Sequence, residues 1–296
     1  MNLDIHRRVL AGEPLTAFLP GRSLWRLSGP DAERYLNGQV TTDVTLLTEG
    51  RASYAAVCTA KGRMEGDITI SRHSDVFYLD ADPVLRESLG ARLDKFLIAD
   101  DALLEDISEE WILTHVFGTN PPSSPEGGFV IQNSRFGVTA FDVWNPVKPG
   151  HCAVDAPVDD EVLETLRLEH AIGKWGTELT PNTLPPEAGP HMLTAISYTK
   201  GCYVGQETIA RLKSVGHVNK TLVFLRSATE QFPPVGAKLL LEEREVGAIT
   251  SSGFSPSLTK GIALAYVQRQ HATDGTLLRA NGFELTIAPS LAKTQS

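Results

Sequence analysis

The segment KGCYVGQETIAR, residues 200–211, gathers a thiol, a phenol, a carboxamide, a carboxylate and two basic side chains into twelve positions. Gly201 and Gly205 flank Cys202 and Tyr203. A thiol becomes a nucleophile when its thiolate is favoured, which happens beside cations and at helix N-termini. Lys200 stands two residues before Cys202, and Gln206 to Leu212 reads as the start of a helix, with Gly205 as its cap and Glu207 in its first turn. This spacing places Cys202 in a glycine-permitted tight turn just ahead of the positive end of a helix dipole. The competing reading is a Gly-rich loop whose Cys and Tyr only fill a gap between domains.

The elements that must hold this turn follow from hydrophobic periodicity. Alternation in Ser23–Leu27 predicts a short strand, broken by Gly29-Pro30, and Asp31–Asn37 has helical spacing. Residues 51–82 read as three strands joined at Lys61-Gly62 and at His73-Ser74-Asp75. A helix is expected from Pro83 to about Ile98, with Leu85, Leu89, Leu93, Phe96 and Leu97 as its apolar stripe. ALLEDI and WILTHVFG read as strands, 129–144 as a hairpin turning at Asn133-Ser134, and Asp159–Ile172 as a helix. Beyond residue 215 only strands and Gly, Pro or Ser turns remain, the pattern of a small β-barrel of about 80 residues. The fold class is α+β, with domains expected at 1–110, 111–214 (ending in the cysteine turn) and 215–296.

Composition narrows the function classes. A formal charge of −9 repels polyanions over long range, so stable direct binding of nucleic acid is not expected, although a local basic patch remains open. There is no apolar run of membrane-spanning length. The N-terminal residues do not have the pattern of a secretory signal, and a cytoplasmic location is expected. Cys58, Cys152 and Cys202 form no CxxC pair; the first two sit in apolar, strand-like settings and read as inert core thiols. The eight histidines show no metal-ligand spacing, and phosphate-binding glycine loops are absent.

The octapeptide KGCYVGQE, continuing to Ala210-Arg211, resembles the signature of the folate-binding YgfZ family. That family is related to the aminomethyltransferase, or T-protein, of the glycine cleavage system and to mitochondrial iron–sulfur assembly factors of the same type. LSGPDAERYLNGQVTTDV, AKGRMEGDITI, LRLEHAIGKWGTEL with PPEAG, and GAITSSGFSPSLTKGIALAYV are similar to further blocks shared with the transferases. The resemblance implies a multi-domain ring like that of the T-protein, two mixed α/β portions and a C-terminal β-barrel around a central opening that holds tetrahydrofolate or a related reduced folate. It implies Glu169 as the carboxylate that reads the pterin, since two parallel charge-assisted bonds fix a planar ring. Lys200, Tyr203 and Arg211 are further expected cofactor contacts, with Arg211 and Lys213 facing either the glutamate tail or an acidic partner. Cys202 and Asp67 are the expected reactive groups. A surface acid on a half-buried strand competes as the reading of Asp67, and a solvated helix position as that of Glu169 and Arg211.

Three functions follow from the resemblance. The first is a folate-binding accessory factor for iron–sulfur cluster assembly or repair, supporting cluster-dependent enzymes, tRNA-modifying ones among them. Its functional thiol is Cys202, at the mouth of the folate cavity, with Lys200 favouring the thiolate. One cysteine does not hold a cluster by itself, because clusters generally take four protein ligands. A transient ligand or a one-carbon or sulfur-derived adduct is the expected use of the thiol. The second function is a tetrahydrofolate-dependent aminomethyl- or methyltransferase. The third is a folate-binding scaffold without catalysis.

Overall fold

The computed structural model describes residues 2–147, 156–214 and 216–291; Cys152 lies outside them. The chain opens with α1 (Leu3–Leu10), β1 (Thr16–Leu19), β2 (Ser23–Ser28) and α2 (Ala32–Gln39). Next come β3 (Ala52–Cys58), β4 (Met64–His73), β5 (Val76–Ala81), α3 (Arg86–Asp94) and β6 (Leu103–Asp106). A second run holds β7 (Trp111–Phe117), β8 (Phe129–Gln132), β9 (Ala140–Pro146), α4 (Asp160–Glu169), α5 (Gly189–Thr194) and α6 (Gln206–Ser214). Strands β10 (Lys220–Ser227), β11 (Lys238–Leu241), β12 (Arg244–Ser255), β13 (Lys260–Gln268), β14 (Leu277–Ala280) and β15 (Phe283–Ala288) complete it.

The strands form a five-stranded sheet β3-β4-β5-β2-β6, a four-stranded sheet β1-β7-β9-β8 and a closed barrel β10-β13-β12-β11-β14-β15. The α+β class and the C-terminal barrel are therefore as the sequence implies. Sheet membership does not follow chain order: β1 pairs antiparallel with β7, and Ile5 and Val9 of α1 pack with Phe117 and α4. Residues 2–19 thus belong with the second sheet and not with the rest of 1–110. The Ala17 and Leu15 side chains find their apolar partners there, across about a hundred residues of chain.

Period-2 alternation in β4 buries Met64, Gly66, Ile68 and Ile70 and turns Glu65, Asp67 and Thr69 the other way. Gly66 lets the helical layer approach closely, since a Cβ there would lie 3.1 Å from Leu89. The stripe Leu85, Leu89 and Leu93 is buried as expected, but α3 ends at Asp94 and Phe96 is partly exposed under the Arg92 guanidinium, 4.0 Å from its ring centre. Asp94, Asp100 and Asp101 crowd what would be the negative end of a longer helix. The 129–144 hairpin likewise has a longer connection than a tight turn, residues 133–139, because Asn133 and Arg135 turn inward to Asp142.

Candidate functional site

The polar face of the first sheet looks across a cavity of about 540 Å3. Its walls come from β3 and β4 (Tyr54, Asp67, Thr69), the end of β5 (Asp80), the 133–139 connection (Asn133, Arg135, Phe136), α4 (Leu163, Glu164, Arg167), the following loop (Lys174, Trp175) and α5 (His191). This is the volume and mixed lining of a small-molecule site.

Asp67 is the group that stands out. Its Oδ2 accepts a 2.8 Å hydrogen bond from the Tyr54 hydroxyl, while Oδ1 is buried with no partner. Burial pushes its carboxyl up to about 6, against the Tyr54 bond and the charge of Arg22, which pull it down. The Tyr54 ring lies 4.8 Å from that of His191. Burial lowers His191 to about 4, so it is neutral near pH 7. An orphaned buried acceptor held by a phenol is a place for an N–H donor from a ligand, and a carboxyl titrating near neutrality can hold or release a proton there.

A buried ionic network backs this wall. Arg135 bonds Asp142 at 2.6 Å, also contacts Asp80, and Asp80 accepts from Arg22 at 2.8 Å. His115 Nδ1 lies 2.7 Å from Asp142. Burial works against the Asp142 charge, but Arg135 and His115 outweigh it and hold its carboxyl far below the usual range. The network joins Arg22, just before β2, to β5, the 133–139 connection, β7 and β9, and so locks the two sheets together behind the cavity. Arg167 joins the third unit: it bonds Glu164 at 2.9 Å, Glu178 at 3.0 Å and Ser251 of the barrel at 3.0 Å.

The cysteine turn lies elsewhere. Cys202 is exposed, and no residue of 200–211 lines the cavity. Between them stands an apolar cluster of Ala56, Cys58, Met64, Leu179, Met192, Ile196, Tyr203 and Ile209. The expected position at the cavity mouth is thereby corrected: Tyr203 is buried in this cluster, 7% exposed and with no partner for its hydroxyl, and it anchors the turn by packing instead of contacting a cofactor. Lys200 is corrected too. Its ammonium donates to the carbonyls of Asn37 at 2.6 Å, Val40 at 2.9 Å and Thr42 at 2.5 Å, and burial lowers it to about 8. All three of its donors are spent on tethering the turn to the end of α2, so it is not a free cation for the thiolate. Gly205 has φ +89° ahead of α6, where a Cβ would come within 2.7 Å of the Thr59 carbonyl. Only glycine fits there.

Two further expected contacts fall away from the cavity. Glu169 is fully buried, with His6 Nε2 at 3.0 Å, the Ser255 hydroxyl at 2.5 Å and the Ser257 amide at 3.4 Å. It ties α1, α4 and the β12–β13 turn together; its face of α4 is opposite the cavity, and Arg167 and Glu164 take the cavity side. Arg211 is a surface residue of α6 paired with Glu207 at 3.3 Å. Cys58 is sealed and its thiol is pushed up to about 12 by burial, as suits an inert core residue. Sequence reasoning missed Tyr54, His191, Trp175 and Arg135. Tyr54 was findable: a hairpin closing at Lys61-Gly62 puts it diagonal to Asp67 on one face, with Ala56 directly opposite Asp67. The other three are joined to the site by tertiary contacts only.

Two antiparallel sheets with their helices, clasping a ligand-sized cavity, and a six-stranded barrel latched alongside define the class of glycine cleavage T-protein folds. Residues 23–124 match the GCVT N-terminal domain and residues 220–285 the glycine cleavage T-protein C-terminal barrel domain, together more than half of the chain. The chain is 28% identical to an aminomethyltransferase of Rubrobacter xylanophilus, over 88% of its own length and 75% of that protein's. It is also 28% identical to the tRNA-modifying protein YgfZ of Cronobacter sakazakii, over 90% and 88% of the two chains. The solved glycine cleavage aminomethyltransferase T of Bartonella henselae superposes with a TM-score of 0.82, at 19% identity, over 97% of this chain and 89% of that one. The chain belongs to the family that unites the T-proteins and the YgfZ proteins.

Proposed function

We propose that the cavity binds a reduced folate, tetrahydrofolate or a close relative, and that the protein is a YgfZ-type accessory factor for iron–sulfur enzymes, tRNA-modifying ones included, with Cys202 as its functional thiol. The folate reading is carried by the unpartnered Oδ1 of Asp67 in a cavity that also presents Tyr54, Phe136 and Trp175. A bound reduced folate supplies ring N–H donors and one-carbon chemistry. The chain's own part is to receive an N–H at Asp67 Oδ1, hold that carboxylate through Tyr54, and line the ring's surroundings with aromatic groups that exclude water. The thiol reading is supported by the resemblance of KGCYVGQE to the YgfZ signature and by the exposure of Cys202 on a rigidly tethered turn. Because the thiol and the cavity are apart, the two roles are separable.

Titration of purified protein with tetrahydrofolate tests the first part. Saturable binding is expected, weakened roughly tenfold to a hundredfold by Asp67→Asn, the loss of one charge-assisted hydrogen bond. No saturable binding sinks the folate reading. Cys202→Ala should bind folate as the wild type does, yet fail to restore cluster-enzyme activity in cells lacking the protein; full restoration sinks the thiol reading. The position of Asp67 also favours a second reading, a folate-dependent aminomethyltransferase. Absence of ammonia release with an aminomethyl-lipoyl carrier at saturating tetrahydrofolate ends it.

A further inference from the structure

A cation-rich face surrounds the cysteine turn on a chain that is otherwise acidic. On α6, Arg211 and Lys213 stand against one acid, Glu207, whereas the whole chain has 36 acids to 27 bases. The fold adds Lys61 and Arg63, both exposed, from the β3–β4 turn. That turn is seated on the start of α6: a Cβ on Gly62 would lie 3.0 Å from Thr208, and one on Gly205 would lie 3.1 Å from the Gly62 Cα. At the far end of α6 the Lys213 ammonium reaches back over Tyr198, 3.6 Å from its ring centre and four residues before the thiol. Arg211 shares this helix in an exposed pair with Glu207 at 3.3 Å, a weak surface bridge that a partner's carboxylate can replace. Of the nearby acids, Glu65 is paired with Arg92 at 2.7 Å and the buried Glu187 accepts from the Leu184 amide at 3.3 Å, while Asp43 is held by the neutral Thr45 hydroxyl at 2.6 Å.

We propose that Lys61, Arg63, Arg211 and Lys213 form a docking surface for an acidic patch on a partner protein, with Cys202 in its midst. The proposal rests on the reading of Cys202 as the functional thiol and names the partner chemistry that the turn receives. The surface is preformed, because the Lys200 tether and the packed Tyr203 and Gly205 hold the turn before any partner arrives, which reduces the ordering cost of docking. A compact acidic protein face suits it better than a nucleic acid. The chain's −9 charge repels an extended polyanion, and the two aromatic rings of the turn are not free for base stacking: Tyr198 lies under Lys213 and Tyr203 is buried.

The thiol itself can report the local field. Three peptides of one length, rich in Glu, Gln or Lys and each carrying one cysteine activated as a pyridyl disulfide, are mixed with the full chain. The Cys202 thiolate attacks the peptide cysteine sulfur, the mixed disulfide forms and pyridine-2-thione leaves; Cys202→Ala gives the background. At low salt the Glu peptide should react about tenfold faster than the Gln peptide and the Lys peptide slower still, with the three rates converging at high salt. Lys61→Glu combined with Lys213→Glu should reverse that order while thermal unfolding and tetrahydrofolate titration stay as in the wild type. Equal rates for the three peptides, or an order that survives the double charge reversal, overturn the proposal. Bulk tRNA that blocks the Glu peptide at physiological salt and binds the wild type but not the double variant also overturns it, in favour of a nucleic-acid face. If Cys202→Ala restores cell function while the peptides still discriminate, the thiol reading falls and the docking surface stands.

Discussion

Asp67 and Cys202 lie on either side of the apolar cluster around Met64 and Met192, the first facing the cavity and the second facing solvent. Around Asp67 the protein buries ionisable groups and leaves one acceptor unmatched. Around Cys202 it does the reverse: the cation beside the thiol is saturated by three carbonyls, the phenol is packed away, and the sulfur is left outside. The first arrangement stores an electrostatic cost that a ligand can relieve. The second stores nothing and only presents a group to whatever docks. The contrast teaches that reactive residue types crowded into one stretch of sequence need not share one pocket.

Substitution can break this contrast, most severely at the ionic network. Arg135→Leu leaves Asp80 and Asp142 buried without their shared cation, and should cost about 3–5 kcal/mol by urea unfolding. A loss below about 1 kcal/mol means that the network does not hold the cavity wall.

A middle-sized effect should appear as pH dependence. Asp67 rises from 3.8 to about 6 in the fold, so the folded chain holds that proton more tightly and stability falls as pH climbs through this interval. His191 falls from 6.5 to about 4, so the folded chain refuses its proton and stability rises over nearly the same interval. The two slopes oppose, and ligand-free wild type should show little net contribution from the pair. Asp67→Asn should expose the upward slope and gain about 2 kcal/mol near pH 7, and His191→Gln should expose the downward one. Unchanged pH profiles of unfolding in both variants would contradict a strained cavity wall.

The smallest effect belongs to the thiol. Cys202→Ser changes an exposed group and should shift stability by less than about 0.5 kcal/mol. A larger shift by thermal unfolding would mean that the sulfur is structural, and the contrast between the two regions would fail.

The legible part of the fold was the part written in short-range pattern. The strands of the first sheet, the α4 helix and the barrel follow from alternation, helical spacing and turn residues. The site was legible only where such patterns reach. Asp67 was placed on the outward face of its strand by alternation, and Cys202 ahead of a helix by its glycines. Glu169 was misassigned because an acid two residues from Arg167 shows a different side of α4, and nothing local says which side meets a cavity and which meets His6 and Ser255. Lys200 misled for a related reason: nearness in sequence to the thiol said nothing of the carbonyls of residues 37 to 42.

The sequence by itself determined the strands of the first sheet, α2, α4, the barrel and the glycine turn that carries Cys202, because periodicity and glycine conformation act over a few residues. Only the tertiary structure decided that Tyr54, Asp67, His191 and Arg135 share one cavity and that a wall of methionine, leucine and tyrosine keeps the thiol out of it. Tyr54 and Asp67 are 13 residues apart on one hairpin, but His191 and Arg135 are more than sixty residues from either, and burial and charge pairing across such distances act only once the sheets have packed.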